Sequence, residues 1–152
     1  MITRKARTED LESLIVLFDE YRIFYQKDSD IPGARLFLAN LMNNNQSVIF
    51  IAENKEKQMM GFVQLYPIFS STRMKRLWLL NDLYVNPAYR SKGVSIALIN
   101  ECKDLCRSTN SCGLILETAK DNVVGNNLYA RTGFVRDEAH NYYEWDIEPT
   151  SS

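Results

Sequence analysis

Leu83-Tyr84-Val85-Asn86-Pro87-Ala88-Tyr89-Arg90-Ser91-Lys92-Gly93-Val94-Ser95-Ile96-Ala97-Leu98 changes its structural period within one short stretch. The residues up to Val85 read as an extended strand, and Pro87, with no N–H and a fixed φ, does not continue it. A basic turn, Arg90-Ser91-Lys92-Gly93, then opens directly onto an amphipathic helical run. That is how a phosphate cradle is built: the first N–H groups of a helix have no partner within it, they point at the anion, and the helix dipole favours negative charge. Arg90 and Lys92 add positive charge, and Gly93 lets the backbone approach a ligand closely. Taken alone, the same residues equally allow an ordinary strand-to-helix turn with two solvated cations. The stretch is neither a P-loop, which needs Gly-Lys-Ser/Thr, nor a dinucleotide fingerprint, which needs more glycines than it has.

Working outward, the chain before this stretch is extended and the chain after it alternates. Val48-Ile49-Phe50-Ile51-Ala52, Gly61-Phe62-Val63-Gln64-Leu65-Tyr66 and Leu77 to Val85 are strand-like runs joined by short polar turns, which predicts an antiparallel meander. Further upstream, Thr8-Glu9-Asp10 reads as a helix start, with Thr8 as the cap. Leu11, Leu14, Ile15, Leu17, Phe18 and Tyr21 continue it at helical spacing to about Tyr25. Pro32-Gly33 reads as a break before a shorter helix through Leu36, Phe37, Leu41 and Met42. Downstream, the pattern predicts a helix over Ile96–Cys106, a buried strand at Leu114-Ile115-Leu116-Glu117 and a helix over Asn127–Arg131. Closing strands are expected at Gly133-Phe134-Val135 and Tyr142-Tyr143-Glu144-Trp145. The expectation is one mixed α/β (α+β) domain over residues 1–148, with a short polar tail at 149–152.

Composition narrows the function. With 152 residues the chain is long enough for one hydrophobic core without disulfides or metal, and 45% hydrophobic content argues against a disordered chain. Eighteen Lys+Arg against 19 Asp+Glu give a formal net charge of −1, so no basic surplus exists to displace phosphate counterions, and nucleic acid is excluded as a bulk-charge partner. Any anion site is local. No apolar run suits a membrane helix or a signal peptide, so a cytoplasmic protein without a membrane partner is expected. Cys102, Cys106 and Cys112 read as reduced structural thiols, and with His140 far along the chain no metal site is expected. His140 itself reads as a surface residue.

Two segments carry a resemblance. Arg90-Ser91-Lys92-Gly93-Val94-Ser95 resembles the Arg/Gln-x-x-Gly-x-Gly/Ala signature of the GNAT superfamily of acyl-CoA-dependent N-acetyltransferases. Asn122-Val123-Val124-Gly125-Asn126-Asn127-Leu128-Tyr129-Ala130-Arg131-Thr132-Gly133-Phe134 resembles that family's Asn-x-x-Ala-x-x-Leu-Tyr-x-x-x-Gly-Phe block. The pair stands in the family's order at the family's spacing, with Ser95 in place of the second small Gly/Ala and Gly125 in place of the usual Ala. The fold this implies is a mixed, mostly antiparallel sheet of about six to seven strands flanked by about four helices, with a V-shaped opening between two central strands.

The implied chemistry is direct acetyl transfer from acetyl-CoA, the co-substrate, to a primary amine of a small molecule resembling a polyamine or an amino acid. By resemblance, Arg90, Ser91, Lys92, Gly93, Val94 and Ser95 hold the pyrophosphate; the backbone of Leu83, Tyr84 and Val85 pairs with the pantetheine arm; Asn122 and Asn127 add cofactor contacts; and Tyr129 protonates the departing thiolate. A phenol suits that role because it is a neutral proton donor at pH 7. The attacking amine must lose a proton, and Asp82 is the leading acceptor with Asn81 as a water-positioning neighbour. Strand alternation puts neighbours on opposite faces, so a bulge would decide which way Asp82 points. Phe18 to Tyr25 resembles the FDxYRxFY stretch of a branch that includes histone and polyamine acetyltransferases, which places Tyr21, Phe24 and Tyr25 at the acceptor site; aromatics and carboxylates suit a cationic amine. A protein-lysine or N-terminal acceptor, and a non-catalytic acyl-CoA-binding module, are the alternatives; a homodimer through the closing strands is a further expectation of the resemblance.

Overall fold

Alternating apolar residues between Val48 and Val85 build the centre of the sheet. In the computed structural model, which describes residues 1–148, the chain divides into two compact units, Met1–Glu117 and the segment from Thr118 onward. The first unit contains β1 (Ile2–Lys5), α1 (Leu11–Phe24), α2 (Ile31–Asn43), β2 (Val48–Glu53), β3 (Met59–Ser70), β4 (Lys75–Val85), α3 (Val94–Ser108) and β5 (Leu114–Ile115). The sheet order is β1-β2-β3-β4-β5; β1 to β4 are antiparallel neighbours and β5 runs parallel to β4.

Side chains of one sheet face, Ile49, Ile51, Phe62 and Tyr84, form a core with Leu14, Ile15, Leu17 and Phe18 of α1 and Ala34 and Leu38 of α2. The opposite face carries Phe50, Val63, Leu65, Trp78 and Leu80 by register, and α3 packs there with Val94, Leu98, Ile99, Cys102 and Cys106 buried. The thiols of Cys102 and Cys106 are free, and burial pushes Cys102 up to about 12, which makes it an inert core residue.

The structure departs from the sequence reading in several places. A fifth strand, β1, was not visible in the charged Ile2–Lys5, although charge suits an edge strand. Thr8 does not cap the helix; the Asp10 carboxylate instead accepts the Arg7 N–H at 2.7 Å. Helix α2 begins before Pro32-Gly33 because Pro in a first turn lacks only an N–H that would have no helical partner, and Asp30 Oδ1 accepts the Gly33 N–H at 3.0 Å. Strand β5 is two residues long and Ile115 is half exposed. No strand occurs beyond Ile115 among the described residues: Val135, Tyr142, Tyr143 and Trp145 are all exposed, so the sheet has five strands rather than six or seven. Their aromatic and β-branched composition is only a propensity, and a strand also needs a neighbour for its ladder.

Pairing between β4 and β5 covers Trp78 with Leu114 and Leu79 with Ile115 and then stops, so residues 80–85 have no ladder partner on that side among the described residues. The expected polar tail at 149–152 lies outside the described residues. In the second unit α4 (Val123–Arg131) starts earlier than its pattern predicts. Asn122 caps it, accepting the Gly125 N–H at 3.1 Å while its own amide donates to Thr118 Oγ1 at 2.9 Å. Among the described residues no helix is long and apolar enough to cross a membrane.

Candidate active site

Asp82 owes its position to an irregularity in the β3–β4 ladder. Leu65 pairs with Leu80 but Gln64 pairs with Asp82, so Asn81 is an extra residue with no partner of its own. In a regular strand continuing from Leu80, Asn81 would stand opposite Gln64, and Asp82 would turn onto the apolar face covered by α3. The bulge instead puts Asp82 beside Gln64 on the face covered by α1 and α2.

There Asp82 is 5% exposed and its carboxylate is held on both oxygens. Gln64 Nε2 donates to Oδ2 at 2.8 Å and Asn81 Nδ2 donates to Oδ1 at 3.1 Å. Gln64, fully buried, also donates to the Tyr66 hydroxyl at 3.2 Å and accepts from Ser47 Oγ at 2.8 Å. No buried side-chain polar atom among the described residues is left without a partner.

A cleft of about 470 Å³ opens over this carboxylate. Its walls are Phe18, Tyr21 and Arg22 from α1 and Tyr25 at its C-terminal cap, Lys27 and Asp30 from the connection, Gly33, Ala34 and Phe37 from α2, and Tyr66, Asn81 and Asp82 from the sheet. Positions 18, 21, 22 and 25 form one helical stripe, which is why α1 presents them together. Buried Asp19 steadies the connection, accepting from Ser29 Oγ and from the Asp30 N–H, each at 2.7 Å. Burial, with the nearby Asp82 charge, raises the phenols of Tyr25 and Tyr66 above their ordinary range, so both stay protonated hydrogen-bond donors.

The turn after β4 lies in the same unit. Gly93 caps α3 at φ +79°, a left-handed conformation, and no atom stands within 4 Å of where a Cβ would sit. The first helical N–H bond closes from Ala97 to Gly93 O at 3.1 Å, which leaves the N–H groups of Val94, Ser95 and Ile96 as the unpaired first turn. Ser91 is also left-handed, at φ 61°. Arg90 is anchored by Nε donating to Val85 O at 3.1 Å, with its guanidinium 5.6 Å from the Tyr84 ring centroid and 5.8 Å from that of Phe24. Lys92 Nζ lies 5.9 Å from the Tyr89 ring.

Edge chemistry follows from the ladder. Asn86 N–H bonds to Met60 O at 2.9 Å, so in antiparallel alternation Tyr84 with Phe62 is a bonded pair and Leu83 and Val85 turn their polar groups away from β3, where Arg90 takes the Val85 carbonyl. A left-handed glycine, unpaired helical N–H groups, two cations and an open strand edge together fit a pyrophosphate followed by an amide-bearing chain. Among the described residues no group of three or more His, Cys, Asp or Glu is placed to hold a metal.

Residues 14–134 match the sequence model of the Acetyltransferase (GNAT) family. The chain belongs to this family. GNAT proteins are acetyl-CoA-dependent N-acetyltransferases, and the chain is an enzyme of that class. It is 40% identical over 143 residues to an uncharacterized N-acetyltransferase, YhfO, of Bacillus subtilis (strain 168), covering 94% of this chain and 95% of that one. A probable acetyltransferase of Haemophilus influenzae is 34% identical over 117 residues, 77% of this chain and 80% of the relative. A crystal structure of a probable acetyltransferase superposes with a TM-score of 0.94 at 35% identity, covering 99% of this chain and 100% of that one.

Within this GNAT fold the residues singled out from sequence fall into three groups. Asp82, Asn81, Tyr21 and Tyr25 share the cleft. Phe24 is not among the cleft-lining residues; it stacks edge-on with Tyr25 and lies against Arg90, next to the turn of Arg90, Ser91, Lys92, Gly93, Val94 and Ser95. Asn122, Asn127 and Tyr129 belong to the second unit, where Tyr129 packs edge-on against Phe134 at 5.6 Å. Sequence reading missed Gln64, Tyr66, Arg22 and Lys27. Gln64 had a signal: it is the one polar side chain inside the apolar run from Gly61 to Leu65.

Proposed function

We propose that this enzyme acetylates a primary amine of a small molecule by direct attack, with the amine held in the cleft over Asp82. The observation that carries this reading is a buried, doubly hydrogen-bonded carboxylate at the floor of an aromatic-walled cleft. Acetyl-CoA, when bound, supplies an acetyl thioester that a neutral amine opens. Gly93 and the N–H groups of Val94, Ser95 and Ile96 take its pyrophosphate, with Arg90, Ser91 and Lys92 around them. The backbone polar groups of Leu83 and the N–H of Val85, flanking Tyr84, take the pantetheine amides, while Arg90 holds the Val85 carbonyl, and Asn122 and Asn127 add contacts from the second motif.

Asp82 accepts the proton that an incoming ammonium must shed, directly or through a water held by Asn81. Tyr21 and Tyr25 give the cation aromatic surface. Tyr129 donates its hydroxyl proton to the leaving sulfur, a role supported by its place in the Asn122 to Phe134 motif. Thiol release from acetyl-CoA, screened against polyamines, amino acids, aminoglycosides and lysine peptides, tests the reading. A small amine is expected to be turned over, and Asp82→Asn is expected to lower kcat/KM by about 10²- to 10⁴-fold with the fold intact. Full activity of that variant rejects Asp82 as the proton acceptor, and turnover of lysine peptides alone rejects the small-molecule assignment.

A further inference from the structure

We infer that the acceptor carries an acidic group beside its amine, as an amino acid does, and that Arg22, assisted by Lys27, is the residue that selects it. This rests on the acetyl-transfer reading and fixes the substrate class within it. The charged side chains of the cleft wall are Arg22, Lys27, Asp30 and Asp82, two of each sign. A site for a polyamine would be expected to hold a surplus of carboxylates, because every additional ammonium brought in would otherwise face these two cations.

The two signs are also differently engaged. Asp82 receives two amide donors and Asp30 caps α2 through Oδ1. Neither Arg22 nor Lys27 makes an ion pair among the described residues. Arg22, a half-buried residue, commits only Nη1, donated to the Asp28 carbonyl at 2.9 Å, so most of its guanidinium remains available. That bond holds the side chain while the helical stripe of Phe18, Tyr21, Arg22 and Tyr25 keeps it in the cleft wall. A guanidinium in such a place matches a carboxylate in shape as well as charge. Amine at Asp82 and acid at Arg22 therefore form a two-ended site for a zwitterion.

Matched pairs test this with the full chain and acetyl-CoA: each amino acid against the amine left when its carboxyl group is removed, such as lysine against cadaverine and ornithine against putrescine. The carboxylated member is expected to be preferred at least about tenfold in kcat/KM, since a site built around a polar group rejects the analogue lacking it. Arg22→Gln is expected to raise KM for the amino acid about tenfold, to cause no loss on the diamine, whose second ammonium then meets one cation fewer, and to be partly rescued in Arg22→Lys. Lys27→Gln gives a smaller change of the same kind. Preference for the diamines, or an equal loss on both members in Arg22→Gln, overturns the inference and leaves acetyl transfer standing. Absence of thiol release with every amine overturns both.

Discussion

A glutamine side chain has one acceptor oxygen and two donor hydrogens, and Gln64 uses all three inside the sheet. Its orientation is fixed by chemistry: an ionised Asp82 only accepts, so Nε2 must face it, and Oε1 is left to take the Ser47 hydroxyl. The second Nε2 hydrogen goes to the Tyr66 oxygen, which leaves the Tyr66 proton to be donated at the cleft wall. Gln64 thus sets two groups of the acceptor site without touching the substrate. Gln64→Leu keeps approximate volume and removes both donors, leaving a buried carboxylate with Asn81 alone. It is expected to cost about 1–3 kcal/mol in stability and to lower kcat at least about tenfold, with KM for acetyl-CoA unchanged. Urea unfolding and steady-state kinetics on the same preparation separate the two effects. A stability loss with an unaltered kcat shows that Gln64 only fills the core.

At the scale of elements, the turn from β4 into α3 makes a prediction that depends on backbone rather than contacts. Nothing crowds Gly93, so Gly93→Ala meets no clash and costs about 1–2 kcal/mol only because a Cβ disfavours φ +79°. Gly93→Asp adds a carboxylate where a pyrophosphate would lie, and calorimetry is expected to show CoA affinity falling well beyond that of the alanine variant. Equal affinities would move the phosphate site elsewhere. This element was legible in sequence because Pro87, the Arg90–Gly93 turn and the helical spacing after it are all local signals. The meander was legible for the same reason. The bulge at Asn81 was not, since a bulge is a relation between two strands, and no property of Asn81 alone says that Gln64 will pair with Asp82. Arg22 was passed over because a cation on an exposed helix ordinarily faces water, and only the packing of α1 over Tyr66 and Asp82 makes it part of a wall. The closing strands failed on the same ground: Tyr142 to Trp145 has strand composition but no ladder.

Across the whole chain a net charge of −1 conceals a strict local sorting: cations at the β4–α3 turn, a balanced pair of each sign in the cleft, and a third group that ties the N-terminus to the sheet. In that last group Arg4 of β1 donates to both Asp10 oxygens at 2.7 and 2.8 Å and reaches Glu53 of β2 at 3.2 Å, while Thr3 Oγ1 donates to Glu101 of α3 at 2.8 Å. These contacts fasten an edge strand of only four residues, and they were invisible in sequence because each spans a turn, a strand or most of the chain. The Arg4 guanidinium holds the Asp10 carboxyl below its ordinary value, chiefly through these hydrogen bonds. The unfolded chain therefore binds that proton at a higher pH than the folded one, so the stability contributed by Asp10 is fully present above the usual carboxylate range, near pH 4, and is lost as pH falls through the depressed value. Partial exposure of the pair limits the contribution to about 1 kcal/mol. Asp10→Asn is expected to unfold at lower urea concentration than the natural chain at pH 7, and the two midpoints are expected to converge as pH is lowered below about 4. A gap between the midpoints that stays constant across that range would show that Asp10 stabilises the N-terminal strand through its shape and its bond to the Arg7 N–H rather than through its charge.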